Sequence, residues 1–198
     1  MSKLLAMMMR EKTGVMDLTA VGSPTISNGV VSGFTANDYL QTGANSFTNE
    51  MFAQYLTNSE IVLRIKSNAT SDQQILSIPA GGTYGGFFAR SNSRVVWQIS
   101  GTTYRVSSGT GVIQADTFYW IKATIKNNIA TLSYSIDGIT YIQLSTLDIS
   151  EMPAPTLSYS WLRFGLNYNN ENPLTEGSIV IPQCYMILSG TKYIFTLP

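Results

Sequence analysis

The sequence predicts an all-β chain folded into two antiparallel sheets that pack face to face. Three observations support this prediction: short runs in which apolar and polar residues alternate, turn residues between those runs, and no sustained 3.6-residue period. With 198 residues the chain has the size of one large sandwich, so we expect a single domain spanning residues 1–198. The turn residues include Ser27-Asn28-Gly29, Gly81-Gly82, Gly85-Gly86, Asn127-Asn128 and Asp137-Gly138.

Two segments show the alternation most clearly. Residues 60–66 alternate between apolar and other side chains, which predicts a strand with one buried face. The other face of this strand carries Arg64 and Lys66. Residues 94–99 repeat the pattern, with Trp97 on the apolar face, so we predict that Trp97 is a core residue.

A hairpin is predicted where residues 129–136 and residues 139–144 flank the dipeptide Asp137-Gly138. Asp and Gly both tolerate positive φ, which a tight turn between two twisted strands requires. Helix is expected only as a short segment at residues 49–56, and the polar stretch of residues 167–177 is expected to be a surface loop.

Charge and composition exclude several classes of function. Lys and Arg together number 12 and so do Asp and Glu, so we expect no nucleic-acid partner.

The opening ten residues contain an apolar run that is too short for an export signal and lacks a cleavage site, and we expect the first strand to begin near Lys3. No segment approaches the roughly 18 to 20 apolar residues of a membrane span, so no membrane insertion is expected. Cys184, the single cysteine, lies in an apolar segment and is expected to be a buried, unreactive thiol.

The segment Phe118-Tyr119-Trp120-Ile121-Lys122 and the later Ser135-Ile136-Asp137-Gly138 resemble a known family. Their order, a strand led by tryptophan and then a strand ending in Ser-x-Asp-Gly, is similar to that of concanavalin A-like, laminin-G-type domains. The resemblance implies a two-sheet antiparallel jelly-roll sandwich. Further similar segments are Lys3-Leu4-Leu5-Ala6 (opening strand), Asp17-Leu18 (first turn), Asn37-Asp38-Tyr39-Leu40 (second strand), and Gly177-Ser178-Ile179 with Tyr185-Met186-Ile187 (closing strand).

Within that family, Tyr119-Trp120-Ile121-Lys122 and Gly177-Ser178-Ile179 look most like domains of bacteriophage tail and virion proteins. This resemblance implies location in a virion, with a host-surface glycan or other virion proteins as partners, and it leaves a homo-oligomer open. The fold hosts lectins, glucanases and viral decorations alike, so function has to be argued from a site.

Trp120 receives two different placements from the sequence. Strict alternation places it on one face with Lys122 and Thr124. The family resemblance implies a packing role instead, and a β-bulge would reconcile the two placements. We predict a structural role for Trp120.

Catalysis is disfavoured by the residues that are missing. The chain has no histidine, which removes Ser-His and Cys-His nucleophile systems and the usual zinc ligands. Glucanases of this fold carry a Glu-x-Asp-x-x-Glu strand, and no such triplet occurs. The nearest carboxylate pair, Asp148 and Glu151, is expected in a solvated loop. The prediction is therefore that the protein is not an enzyme.

No cofactor is predicted, although calcium stays open because laminin-G-type domains often bind it through oxygen ligands. The oxygens available for such a site belong to Asp137, Asn167, Asn169, Asn170 and Glu171. They include no cluster of acidic residues, and a turn explains Asp137 without a metal.

A sugar-binding surface is predicted in residues 158–167, where every second residue from Leu162 is apolar and the intervening ones face the other side. Arg64 and Lys66 would join this surface if their strand lies in the same sheet. Tyr84 is a further candidate because flanking glycines predict a bent or mobile loop. The candidate ligand-binding residues are Tyr159, Trp161, Arg163, Asn167 and Tyr84.

These patterns leave several functions open. The first is a non-catalytic, virion- or tail-associated phage domain, displayed on the particle, that serves for host-surface glycan binding or for decoration. The second is a purely structural assembly domain that binds no sugar, in which Trp161 is simply covered by a loop. A glycan-degrading enzyme is the third and least favoured.

Overall fold

The computed structural model describes residues 12–78, 85–90, 93–100, 103–167, 169 and 171–197. Strands dominate these residues, as predicted. In chain order the strands are β1 (Lys12–Val21), β2 (Thr25–Ser27), β3 (Val30–Ser32), β4 (Tyr39–Thr42), β5 (Asn58–Ser67), β6 (Gln73–Ile78), β7 (Gly85–Arg90), β8 (Arg94–Ser100), β9 (Tyr104–Ser107), β10 (Tyr119–Lys126), β11 (Ile129–Ser135), β12 (Ile142–Asp148), β13 (Arg163–Phe164), β14 (Gly177–Val180), β15 (Tyr185–Leu188) and β16 (Thr191–Thr196).

The strands form two layers, which we call the back sheet and the front sheet. The back sheet runs in the order β12-β11-β10-β5-β15-β16-β1, with β14 also paired to β5. The front sheet runs in the order β1-β4-β13-β6-β7-β8-β9. Neighbouring strands are antiparallel except for β1 and β16, which are parallel. The predicted antiparallel sandwich is therefore the observed architecture.

β1 belongs to both sheets. Residues 12–17 pair with β16 in the back sheet, and residues 18–21 pair with β4 in the front sheet. The change of partner falls at Asp17-Leu18, which the family resemblance implied to be a turn. That expectation is wrong, because the strand continues through this point and exchanges one sheet for the other. The expected opening strand near Lys3 lies outside the described residues.

The two sheets bury one continuous apolar core. Ile61, Leu63 and Ile65 of β5 are fully buried, which confirms the inward face predicted for residues 60–66. Trp97 of β8 is fully buried as predicted. Its ring stacks on Phe87 with 5.7 Å between the centroids.

The predicted short helix is present as α1 (Asn49–Thr57). Thr48 caps its N-terminus, with Oγ1 accepting from the Met51 N–H at 3.3 Å. Tyr55 of α1 is buried, and its hydroxyl accepts from Trp97 Nε1 at 3.0 Å, which joins the helix to the front sheet. Burial raises the pKa of Tyr55 above its usual value. Among the described residues, no helix is long and apolar enough to cross a membrane.

The hairpin between β11 and β12 is confirmed, but its turn is longer than predicted. The strands end at Ser135 and resume at Ile142, so the connection comprises residues 136–141 and not a two-residue turn. Only Gly138 of the Asp137-Gly138 pair has a positive φ, +76°. The Asp137 carboxylate organises the turn instead, because Oδ1 accepts from the backbone N–H groups of Ile139 and Thr140, each at 2.8 Å.

Trp120 lies on the outer face of the back sheet. β10 pairs with β5 and β11 in unbroken register through Trp120, so strict alternation holds and the bulge suggested for this position is wrong. The half-buried ring still has a packing role, because the hairpin turn folds over it. A Cβ added at Gly138 would lie 2.9 Å from Trp120 Cε2, which only glycine avoids.

Cys184 is a buried free thiol, as predicted. Its Sγ accepts from the Arg64 backbone N–H at 3.4 Å and donates to the Val180 carbonyl at 3.3 Å. Burial raises the pKa of Cys184 to about 12. The thiolate, which is the reactive form, is therefore strongly disfavoured.

Candidate functional site

The strand register of the front sheet aligns polar side chains across its outer face. Inward positions carry Leu40, Phe164 and Leu76, and the alternate positions next to them carry Gln41, Arg163 and Ser77. The polar row continues across β7, β8 and β9. In strand order its members are Gln41, Arg163, Ser77, Gly86, Gln98 and Arg105.

Arg163 lies at the centre of a layered group of rings, which we call the front stack: Tyr39, Arg163, Trp161 and Tyr159. The guanidinium carbon lies 4.3 Å from the Tyr39 ring centroid and 4.4 Å from the Trp161 ring centroid. Tyr159 stacks on Trp161 with 5.0 Å between the ring centroids and an interplanar angle of 21°. This arrangement combines cation–π and ring stacking contacts.

The donors of Arg163 are directed into the protein. Nε and Nη2 donate to Gln41 Oε1 at 3.2 and 3.0 Å, and Nη1 donates to the Asn167 carbonyl at 2.9 Å. The residue is only 7% exposed, and burial lowers the pKa of Arg163 from its usual value. Arg163 lies on the face predicted for it, and its guanidinium positions the rings of the front stack, while contact with a ligand stays a prediction.

Asn167 is also buried, with no exposed surface. Its Oδ1 accepts from the backbone N–H groups of Asn169 and Glu171 at 3.1 and 2.7 Å, so the side chain organises the start of the loop after β13. Asn167 therefore supports the site from below and does not reach its surface. Its Nδ2 is buried without a hydrogen-bond partner among the described residues.

Tyr159 and Trp161 border a shallow cleft of about 460 Å³. Tyr159 is 46% exposed and Trp161 is half-buried, so these two rings are the accessible part of the front stack. Ser160 between them is anchored, because its Oγ accepts from Asn45 N and donates to Asn45 Oδ1 at 3.1 and 3.0 Å. The other residues lining the cleft are Ala44, Asn49, Leu157 and Ser158.

The structure separates the remaining candidates from this cleft. Arg64 and Lys66 lie on β5 of the back sheet, so the condition under which they would join the same surface is not met. Tyr84 lies outside the described residues. Tyr39 and Gln41, on the outer face of β4, were not predicted as part of the site. Alternation with the buried Leu40 would have placed both outward, but not beside Arg163.

The carboxylates singled out for other chemistry do not form one centre. Asp148 and Glu151 line a separate depression of about 280 Å³, and the N–H of Ser150 lowers the pKa of Asp148. Asp137 lies in the turn after β11 of the back sheet and Asn167 follows β13 of the front sheet, so the structure does not bring these two oxygen sources together. Asn170 lies outside the described residues. Within the described ranges there is no group of three or more His, Cys, Asp or Glu residues that could hold a metal ion.

No protein-family model matches the chain, and no curated protein matches it. Solved structures do match. The VIP36 exoplasmic/lumenal domain, in a Ca²⁺- and mannose-bound form, is 9% identical, with 86% of this chain and 82% of that chain covered and a TM-score of 0.52. The binding domain of botulinum neurotoxin DC, in complex with SialylT, is 12% identical, with 87% and 43% covered and a TM-score of 0.58. The enzymatically active domain of bacteriophage CBA120 tailspike protein 2 is 11% identical, with 91% and 29% covered and a TM-score of 0.56.

The fold is concanavalin A-like. This follows from the two-sheet, mostly antiparallel sandwich together with these lectin-like neighbours. At such low identities the similarity establishes the fold and nothing finer. The chain spans less than half of the toxin chain and less than a third of the tailspike chain, so the activities of those proteins do not transfer with the fold.

Proposed function

We propose that the protein is a non-catalytic glycan-binding domain whose site is the cleft beside Tyr159 and Trp161. The observation that carries this proposal is the pair of parallel, accessible rings held in place by a buried arginine. Flat aromatic faces bind the apolar C–H faces of sugars, and rigid presentation lowers the entropic cost of binding.

The chemistry of the cleft favours an uncharged sugar. Its described lining contains no Asp, Glu, Lys or Arg, while Asn49 and Ser158 offer amide and hydroxyl groups for sugar hydroxyls. Arg163 adds no accessible charge because its guanidinium is buried in the front stack. The proposed ligand is therefore a neutral glycan that stacks on the outward face of Tyr159 and contacts the edge of Trp161, because Arg163 and Tyr159 already lie against the Trp161 ring.

The biological context that we propose is a bacteriophage particle, with the domain displayed on the virion or tail for host-surface glycan binding or for decoration. Support comes from the sequence resemblance to phage tail domains and from the fold shared with the CBA120 tailspike domain. VIP36 in its mannose-bound form and the toxin binding domain in complex with SialylT share this fold, and these complexes support our proposal of sugar binding.

The alternative function is assembly without sugar binding. It is favoured by exposed apolar side chains at the hairpin turn and the edge strand β12: Ile136, Ile139 and Ile142 are 65%, 85% and 54% exposed. Such residues are typical of protein contacts. Localisation of the protein in particles, combined with no binding on a glycan array, would support this alternative over ours.

The decisive variant for our proposal is Tyr159→Ala, tested on a glycan array and by titration with any sugar that binds. We expect affinity to fall by about tenfold or more while the free energy of unfolding changes by less than about 1 kcal/mol, because Tyr159 is 46% exposed and lies outside the core. Ile139→Ala, which removes an exposed side chain elsewhere, is the control and should leave binding unchanged. Retained binding in Tyr159→Ala would show that the cleft is not the glycan-binding site.

Turnover of a glycan that a carboxylate substitution abolishes would contradict the non-catalytic assignment.

A further inference from the structure

The outer face of the back sheet carries a second pairing of arginine with tryptophan. Arg64 of β5 lies directly opposite Trp120 of β10, and its guanidinium carbon is 4.3 Å from the Trp120 ring centroid. Phe118 contacts the same guanidinium at 5.1 Å. The other side of the Trp120 ring is covered by Gly138, so the ring itself offers no free face for a sugar.

Arg64 is held in place but is not neutralised. Of its five N–H donors, only one forms a hydrogen bond within the described structure, from Nη1 to Gln183 Oε1 at 2.8 Å. Nε is buried without a hydrogen-bond partner. The one ion pair between described residues joins Lys66 to Asp116 at 3.7 Å, so Arg64 has no carboxylate partner there. Nη2 and the second N–H of Nη1 therefore remain for an anion, the partner that a guanidinium binds best.

Two lysines increase the positive charge around Arg64. Lys66 Nζ lies 5.7 Å from the Phe118 centroid, and Lys122 Nζ lies 3.8 Å from the Tyr141 centroid. Three acids near these cations have partners other than Arg64, but only Asp116 is paired with an opposite charge. Asp116 pairs with Lys66, Glu60 accepts from the Tyr185 hydroxyl at 2.9 Å, and Asp137 is bonded within its own turn.

Neutral hydrogen-bonding residues continue the surface beyond these cations. The register places Lys122 next to Ser133 and then Gln143 on the neighbouring strands. The next outward row carries Thr124, Thr131 and Thr146, with Glu60 of β5 beside Thr124. Hydroxyl groups both donate and accept, which matches the hydroxyl groups of a sugar chain better than the side chains of an acidic peptide.

We infer that the Arg64 fork, with Lys66 and Lys122, binds the carboxylate or sulfate group of an acidic polysaccharide on the outer face of the back sheet. This site does not depend on the front-sheet cleft. Its ligand is anionic and is held mainly by charge-assisted hydrogen bonds, whereas the cleft binds by stacking.

Titration of the full chain with three polysaccharides at low ionic strength tests this inference: polygalacturonate for carboxylate, dextran sulfate for sulfate, and unmodified dextran as the neutral comparison. We expect at least one acidic polymer to bind and dextran not to bind at this face. Arg64→Gln should weaken that binding by about tenfold or more, because it removes the charged bidentate donor. Arg64→Lys keeps the charge without the planar fork and should recover only part of the affinity.

Arg105→Gln, which removes an exposed cation of the front sheet, is the matched control and should change binding less than about twofold. Equal losses in Arg64→Gln and Arg105→Gln would reduce the effect to general charge attraction and overturn the site.

Should Arg64→Gln fail to fold, Lys122→Gln gives the same test with the Arg64–Trp120 contact intact. Tighter binding of poly-glutamate than of either polysaccharide would overturn the assignment to a polysaccharide. Tyr159→Ala should leave acidic-polymer binding unchanged, which separates this site from the cleft.

Discussion

The two sheets each place an arginine on a tryptophan at nearly the same distance, 4.4 Å for Arg163 on Trp161 and 4.3 Å for Arg64 on Trp120. The pairs differ in which partner stays accessible. At the front, the arginine is buried and hydrogen-bonded while the aromatic rings reach the cleft. At the back, the ring is covered by a turn while the guanidinium keeps most of its donors. The same contact thus presents an apolar surface in one sheet and a charged one in the other.

The sharpest test of this difference compares truncation of the two arginines. Arg163→Ala should destabilise the fold by about 2 to 4 kcal/mol, because it empties the space between Tyr39 and Trp161 and leaves the acceptors of Gln41 and Asn167 unpaired. Arg64→Ala should cost less than about 1 kcal/mol, since its contacts are near the surface. Chemical denaturation of both variants measures the two values. Equal destabilisation by the two variants would mean that Arg64 supports the fold as much as Arg163 does, which contradicts the difference between the two arginine–tryptophan pairs.

A second test addresses the turn that covers Trp120. Gly138→Val should destabilise the protein by about 1 to 3 kcal/mol through its positive φ, with an added steric contribution from the Trp120 ring. Gly111→Val is the matched control, since Gly111 has φ +74° but nothing within 4 Å of an added Cβ. The difference between their thermal midpoints isolates the contact with Trp120. If the two midpoints coincide, the turn does not hold the ring in place.

The smallest expected effect concerns pH at the same turn. Backbone donation from Ile139, then from Thr140, and the Ser135 hydroxyl lower the pKa of Asp137 to about 2. The unfolded chain has the ordinary value of about 3.9, so the stabilisation is complete above that pH and is lost as pH falls toward 2. Asp137→Asn should therefore lower the thermal midpoint most above about pH 4 and progressively less below it. A midpoint difference that stays constant from pH 6 to about pH 2 would contradict this account.

Alternation in the sequence was sufficient to predict much of the fold and part of the site. It identified the buried faces of β5 and β8, and it placed Tyr159 and Trp161 away from the core. It did not predict that Arg163 is buried, because Tyr39 and Gln41 reach it only through pairing of β4 with β13. It also could not place Arg64 in the back sheet. Sheet membership depends on contacts between distant segments, which local periodicity does not encode.

The sharing of β1 between the sheets has a mechanical consequence. In the parallel pairing of β1 with β16, Lys12 lies beside Thr191 and Asp17 lies beside Thr196. Tension applied to the chain before Lys12 and after Thr196 pulls the two strands past each other, so all of their backbone hydrogen bonds are loaded together and none can open first. Because β1 continues into the front sheet through residues 18–21, the same tension is also transmitted to β4. We expect force spectroscopy between these two points to show a single high rupture event for the sandwich, with no earlier peeling of either layer.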